Sequence, residues 1–302
     1  MAESIGGTEL LGDRPGTNWA YAEHDVQVGS LELHYLEAVR EGGESPTSAR
    51  TLLALHGMTS HGDAWHPVIA GLSAVDRVIC PDMRGHGRSD WSRQGYWLAD
   101  YADDMTGLLN LLGVHDGIDL IGQSLGARVC MVLAPRLGRR LNTMTLCDTG
   151  PIVDRSAAEQ ARSVFFSSKS KTAFDSEDEL RQFLRDQQPE WAEVSIRIRA
   201  DSLYRRNWAG KLVNRGDPDV GWLFGRAGLH EVDDMWDGLR NTDAPTLVIR
   251  GEHSYLLSEE IAQQMCSALA APIYLVLPYG HYIPYEAPEA LAAAVDTFLR
   301  QH

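Results

Sequence analysis

The chain has 302 residues, is 44% hydrophobic and carries a formal net charge of -15 at pH 7. That length and apolar content supply a sizeable core for one large domain, or for a domain with an insertion. The charge excludes phosphate backbones and anionic membrane surfaces as expected partners, and no apolar run reaches the about 20 residues of a membrane span.

Met1 to Tyr21 has no basic start and no long apolar stretch. It reads as part of a polar N-terminal extension, residues 1–23, and not as a signal peptide. The four cysteines, Cys80, Cys130, Cys147 and Cys266, lie in apolar segments without metal-ligand spacing. They read as reduced core thiols of a cytoplasmic protein. His24 to Val39 alternates around Gly29-Ser30 and predicts a hairpin. Thr51–Leu55 and Arg77–Cys80 are short continuous apolar runs, so buried strands, and each ends in a glycine-containing loop. Helices are expected over Ala64–Leu72 and over Tyr96–Leu112, the second stopped by Gly113.

Gly117–Ile121 is the next buried strand. It stops at Gly122-Gln123-Ser124-Leu125-Gly126, and a helix-compatible run, Ala127–Pro135, follows. This is a G-x-S-x-G nucleophile elbow in a strand–turn–helix setting. A serine at so tight a turn has a strained backbone, and glycine two residues before and two after leaves room for strand and helix to pass. The hydroxyl is then held at the carboxyl edge of the sheet, facing the positive end of the next helix. Leu141–Cys147 is a further strand, ending at Asp148-Thr149-Gly150-Pro151.

From Ile152 to Thr242 the chain is charged and helix-like, without strand runs. Ala244–Arg250 and Ile273–Leu277 are strand-like again, with helical spacing over Ile261–Leu269 and Pro288–Arg300. The alternation predicts an α/β fold with a mainly parallel sheet covered on both faces. Residues 152–243 interrupt it as a helical insertion between core segments 24–151 and 244–302. No G-x-G-x-x-G opens a helix, so no dinucleotide site is expected, and nothing points to a metal or organic cofactor.

Over residues 24–151 and 244–300 the chain resembles the α/β-hydrolase family. The resemblance rests on the elbow, on His56-Gly57 after the third strand, on Arg84-Gly85-His86-Gly87-Arg88-Ser89 after the fourth, and on Gly280-His281-Tyr282-Ile283-Pro284-Tyr285-Glu286-Ala287-Pro288-Glu289. It implies an eight-stranded sheet, with residues 152–243 as a helical cap over the active site. It also implies Ser124 as nucleophile and His281 as its base, in the family order nucleophile, acid, histidine. The oxyanion hole is expected from the backbone N–H groups of Leu125 and Met58. His56 and His86 belong to loop packing. His24, His34, His66, His115, His230 and His302 read as structural or exposed, and His61 and His253 stay open.

The acid departs from the common family pattern. After the strand ending at Arg250 the loop reads Gly251-Glu252-His253-Ser254-Tyr255, with Tyr255 where a relative has aspartate. A tyrosine cannot orient and charge-stabilise the histidine as a carboxylate does. Asp148, after the sixth strand, is the proposed third member. Glu252 and the absence of any functional acid are the alternatives, and Asp233 and Asp234 are outsiders.

The expected reaction is two-step acyl transfer on a small-molecule ester or lactone, with no nucleic-acid or membrane partner; a homo-oligomer is compatible with the sequence but not indicated by it. Serine as nucleophile argues against dehalogenase and epoxide hydrolase chemistry, which needs an aspartate there. A cofactor-free dioxygenase or a lyase with His281 as proton-transfer base is the alternative, and a non-catalytic binding protein a third reading. In the cap, Trp191, Trp208, Trp222, Trp236, Phe165, Phe166, Phe183 and Phe224 are candidates to line an apolar pocket or to pack helices. Arg197, Arg199, Arg205 and Arg206 are candidates for binding a carboxylate or for an exposed helix face.

Overall fold

Alternating side chains on either side of Gly29-Ser30 build an antiparallel hairpin from β1 (Trp19–Val28) and β2 (Leu31–Arg40), with Gly29 at φ 58° in the turn. A computed structural model describes residues 18–42, 49–153, 156–160, 163, 171–224 and 231–302, with the backbone alone at 222–224. β1 begins inside the segment expected as an extension to residue 23. Trp19 and Tyr21 turn inward and are buried, and the Arg40 guanidinium lies 4.5 Å over the Trp19 ring. Residues 1–17 of the expected extension lie outside the described residues.

The continuous apolar runs become β3 (Thr51–Leu55), β4 (Arg77–Pro81), β5 (Ile118–Gln123) and β6 (Leu141–Cys147). Past residues 152–243, β10 (Thr246–Gly251) and β11 (Pro272–Leu277) complete one eight-stranded sheet of order β1-β2-β4-β3-β5-β6-β10-β11. It is antiparallel through β1, β2 and β4 and parallel from β4 to β11. Period-two alternation runs inside those apolar strands, because both faces are covered. Leu53, Leu55, Leu120, Met144 and Val248 pack against helices Leu98–Leu111, Leu125–Leu137 and Glu259–Ala268. Leu52, Ala54, Ile121, Cys147 and Ile249 pack against Trp65, Val68 and helix Pro288–Gln301.

β3 lies between β4 and β5, so the chain winds outward from it in both directions. Such a reversal opens a crevice beyond the carboxyl ends of the strands. The elbow after β5 and the loop after β3 both open there.

Residues 152–243 contain helices Glu177–Gln187, Glu193–Leu203 and Val232–Arg240. They also contain strands where the sequence predicts none: β7 (Ala173–Phe174), β8 (Tyr204–Arg206) and β9 (Leu212–Asn214), in a three-stranded antiparallel sheet. Strands of two or three residues are too short to carry a period-two signal. This part has its own apolar cluster of Phe174, Leu180, Leu184, Trp191, Ile196 and Leu212, closed by Tyr285 of the core. Among the described residues no helix is long and apolar enough to cross a membrane.

Candidate active site

Ser124 sits at φ 53°, ψ -113°, between the end of β5 and helix Leu125–Leu137. The flanking glycines are required by contact distances. A Cβ on Gly122 would meet the Gly126 carbonyl carbon at 2.3 Å, and one on Gly126 would meet Leu55 O at 2.1 Å. Register then places the next residue. Gln123 at the end of β5 pairs with Cys147 at the end of β6, and Ser124 N–H donates to Cys147 O at 3.0 Å. Asp148 therefore emerges beside Ser124 at the same sheet edge.

Asp148 is fully buried and has φ 56°. Its Oδ1 accepts from Gly251 N–H at 2.7 Å, and its Oδ2 accepts from Ser254 Oγ at 2.5 Å and from His281 Nδ1 at 2.8 Å. A carboxylate only accepts, so the proton of the neutral imidazole lies on Nδ1 and Nε2 is left with its lone pair. The His281 loop is held by Glu286, whose carboxylate accepts from Gly280 N–H at 2.6 Å and Tyr282 N–H at 3.0 Å. Gln123 Nε2 donates to His281 O at 3.1 Å and lies 3.4 Å from His281 Nε2.

Ser124, His281, Met58 and Leu125 line one cavity of about 970 Å³, between the carboxyl ends of the core strands and residues 152–243. Leu125 opens its helix, so its N–H has no acceptor one turn back. Among the described residues the Met58 N–H donates to no backbone carbonyl. Two donors thus stand free beside the serine, and the helix end adds its positive field.

The competing acids lie elsewhere. Glu252 is exposed, and its backbone N–H bonds Leu277 O at 2.7 Å. The Tyr255 ring stands 5.6 Å from the His281 ring, centroid to centroid, and burial beside Tyr282 raises its phenol well above the ordinary range, so it stays neutral. Asp233 and Asp234 are exposed, as is His253.

The loop motifs brace the rim. Asp82 accepts from Gly62 N–H at 2.6 Å and Arg88 N–H at 2.8 Å, and burial lifts its carboxyl to about 6. His56 accepts from Met83 N–H at 3.0 Å and packs edge-on against His86. Burial holds His86 down at about 4 and His61 at about 3, both neutral at pH 7. His61 is buried, and among the described residues neither of its ring nitrogens has a hydrogen-bond partner. The four cysteines are free thiols, three of them buried. Among the described residues no group of three or more His, Cys, Asp or Glu is placed to hold a metal ion.

A family model described as the α/β hydrolase fold matches residues 50–288. The chain belongs to the α/β-hydrolase family. This α/β-hydrolase is 28% identical over 275 residues to the 2-(acetamidomethylene)succinate hydrolase of Mesorhizobium japonicum, covering 91% of this chain and 94% of that one. It is 27% identical over 288 residues to the 3-hydroxybutyrate-oligomer hydrolase of Cupriavidus necator, covering 90% and 95%. A solved structure of E-2-(acetamidomethylene)succinate hydrolase superposes with TM-score 0.78 at 25% identity, over 93% of this chain and 99% of that one. Similarity of that extent to proteins named hydrolases supports hydrolase activity.

Of the cap candidates in this α/β-hydrolase, Trp191, Phe183 and Arg199 line the cavity. Trp208 is 99% exposed, and Trp236 packs against the main core. Phe165, Phe166 and His230 lie outside the described residues, as do the side chains of Trp222 and Phe224. Arg197, Arg205 and Arg206 are exposed. The sequence reading missed Arg128, Glu231, Tyr282 and Tyr285, which also line the cavity. Arg128 was findable: it lies one helical turn after Ser124, on the same helix face.

Proposed function

We propose that this α/β-hydrolase cleaves a small-molecule carboxylic ester or lactone through an acyl-enzyme on Ser124, with His281 as base and Asp148 as the acid. The observation that carries the reading is the 2.8 Å bond from His281 Nδ1 to the buried Asp148 carboxylate, in a cavity that Ser124 also lines. With the Nδ1 proton on the Asp148 side, the Nε2 lone pair, 3.4 Å from Gln123 Nε2, takes the Ser124 proton as Oγ attacks the carbonyl. The imidazolium is then stabilised by the adjacent carboxylate, and the tetrahedral oxyanion by the Met58 and Leu125 N–H groups. Nε2 returns the proton to the leaving group, and water repeats the sequence to release the acid. Residues 152–243 act as the cap that closes the cavity around the substrate. Two relatives named hydrolases, matched over 91% and 90% of the chain, support a hydrolytic outcome.

The test is intact-protein mass after exposure to a fluorophosphonate probe. One adduct on the wild type and none on Ser124→Ala is expected. A wild type without adduct would sink the acyl-enzyme, and oxygen consumption and lyase assays would then examine His281 as a proton-transfer base without a covalent intermediate.

A further inference from the structure

We infer that the Ser124 cavity contains a carboxylate-binding subsite built on Arg199, so that the substrate carries a free carboxylate in addition to the bond that is cleaved. This rests on the proposed hydrolase reading and narrows its substrate class.

Arg199 lies on helix Glu193–Leu203 and lines the cavity together with His281 and Tyr282. Its guanidinium carbon is 5.3 Å from the Trp191 ring centre and 5.9 Å from that of Tyr285. Those two rings are stacked at 4.2 Å, and the guanidinium stands beside the pair, within cation–π range of both. A guanidinium is planar, and its forked N–H edge suits a planar acceptor.

Among the described residues no acceptor takes the buried Arg199 Nε, and Arg199 has no ion pair. The acidic neighbours on its own helix are already engaged, Glu193 with Arg185 and Asp201 with Arg181. A guanidinium donor left unsatisfied in a buried position is costly and is retained where a ligand completes it. The Arg199 charge acts on the site itself, helping to lower the His61 imidazole and to restrain the rise of the Tyr282 phenol.

A second cation reinforces the field. Arg128 lines the same cavity one turn after Ser124; among the described residues it has no ion pair, and Glu231, whose Oε2 has no hydrogen-bond partner among them, lines the cavity too. In a chain of net charge -15, two guanidiniums without an ion pair among the described residues line the cavity that Ser124 lines; Glu231 acts on Arg128, which leaves Arg199 as the cation for an anionic group. A planar, bidentate carboxylate matches the Arg199 edge, and the Trp191, Phe183 and Tyr285 surfaces suit a short carbon skeleton.

The experiment compares the p-nitrophenyl monoester of glutaric acid with p-nitrophenyl pentanoate, nearly isosteric and neutral. In the wild type kcat/KM favours the anionic ester. In Arg199→Gln the anionic-to-neutral ratio falls about 10- to 100-fold, mostly through KM, the range a charge-assisted hydrogen bond supports. Arg199→Lys, which keeps the charge without the fork, restores part of the ratio. The ratio is internal to each protein, so a partly folded variant does not distort it. Calorimetric binding of glutarate to Ser124→Ala, with and without Arg199→Gln, reads the subsite without turnover. If no ester is cleaved but glutarate binds in an Arg199-dependent way, the acyl-enzyme reading fails and the subsite stands. A ratio unchanged in Arg199→Gln, or glutarate binding independent of Arg199, overturns the subsite.

Discussion

Replacing Asp148 with Asn removes one charge and keeps the shape, so it isolates what the carboxylate does. The Asp148 oxygens accept three bonds, from Gly251 N–H, Ser254 Oγ and His281 Nδ1, at 2.7, 2.5 and 2.8 Å. An Asn oxygen can keep the Gly251 bond, but its NH₂ then faces His281. That donor favours the imidazole tautomer with its proton on Nε2, which has no lone pair left for the Ser124 proton. The charge effect has the same sign. An imidazolium and a carboxylate about 3 to 4 Å apart, at an effective dielectric of about 20, attract by roughly 4 to 6 kcal/mol. At about 1.4 kcal/mol per tenfold in rate, losing that attraction slows acylation by roughly 1,000- to 10,000-fold. The loss recorded for the same carboxylate-to-amide change in a serine protease triad, about 10,000-fold, lies at the top of that range. The assay is the rate of fluorophosphonate adduct formation, followed by intact mass, for wild type, Asp148→Asn and Glu252→Gln. Glu252 is exposed and does not touch His281, so Glu252→Gln keeps close to the wild-type rate. An Asp148→Asn protein that melts like the wild type and labels at close to its rate would refute the reasoning, as would a comparable loss in Glu252→Gln.

Two further predictions concern the scaffold. Gly126→Ala places a methyl 2.1 Å from Leu55 O, which is backbone and cannot swing aside. The expected loss is roughly 3 kcal/mol or more, read as a lower urea midpoint, and a midpoint equal to wild type would mean that the turn is not as tight as described. The buried His61 makes the fold acid-sensitive. Its pKa is about 3 in the folded protein against 6.5 when exposed, so the unfolded chain binds the proton first. Its stability contribution is complete above pH 6.5 and is lost as pH falls towards 3, about 2 kcal/mol of it by pH 5. His86, held at about 4, acts in the same direction, while Asp82, lifted to about 6, acts against both. Urea unfolding at pH 7 and pH 5 should show a smaller acid loss in His61→Leu than in wild type. An equal loss would mean that His61 is not the group that titrates.

How much was legible from residue order depends on the range of each interaction. β6 and the ends of β10 and β11 follow from short apolar runs, and the elbow from two glycines around a serine, because those constraints act within a few residues. The three short strands in residues 152–243 were not legible, since each is defined by its partner and not by a pattern of its own. Trp19 and Tyr21 were read as extension because their burial depends on β2 and Arg40, across the hairpin.

The sequence by itself determined the alternation of strands and helices and the tight turn at Ser124, which rest on periodicity and local backbone geometry. The α/β-hydrolase core and the loop carrying His281 were legible through the family resemblance of their motifs. The sequence proposed Asp148 with Glu252 as an alternative, and tertiary structure chose between them by setting Asp148 against His281, a contact across 133 positions. It depends on the β5–β6–β10 register, which brings the two strand ends beside each other while the Gly251 loop turns Glu252 outward. It also separated Arg199 from Arg197, Arg205 and Arg206. All four read alike as helical cations, and only packing against Trp191 and Tyr285 turns one of them into the cavity. Which side of an element meets the site is decided by what packs on its other face, and that information is distributed over the whole chain.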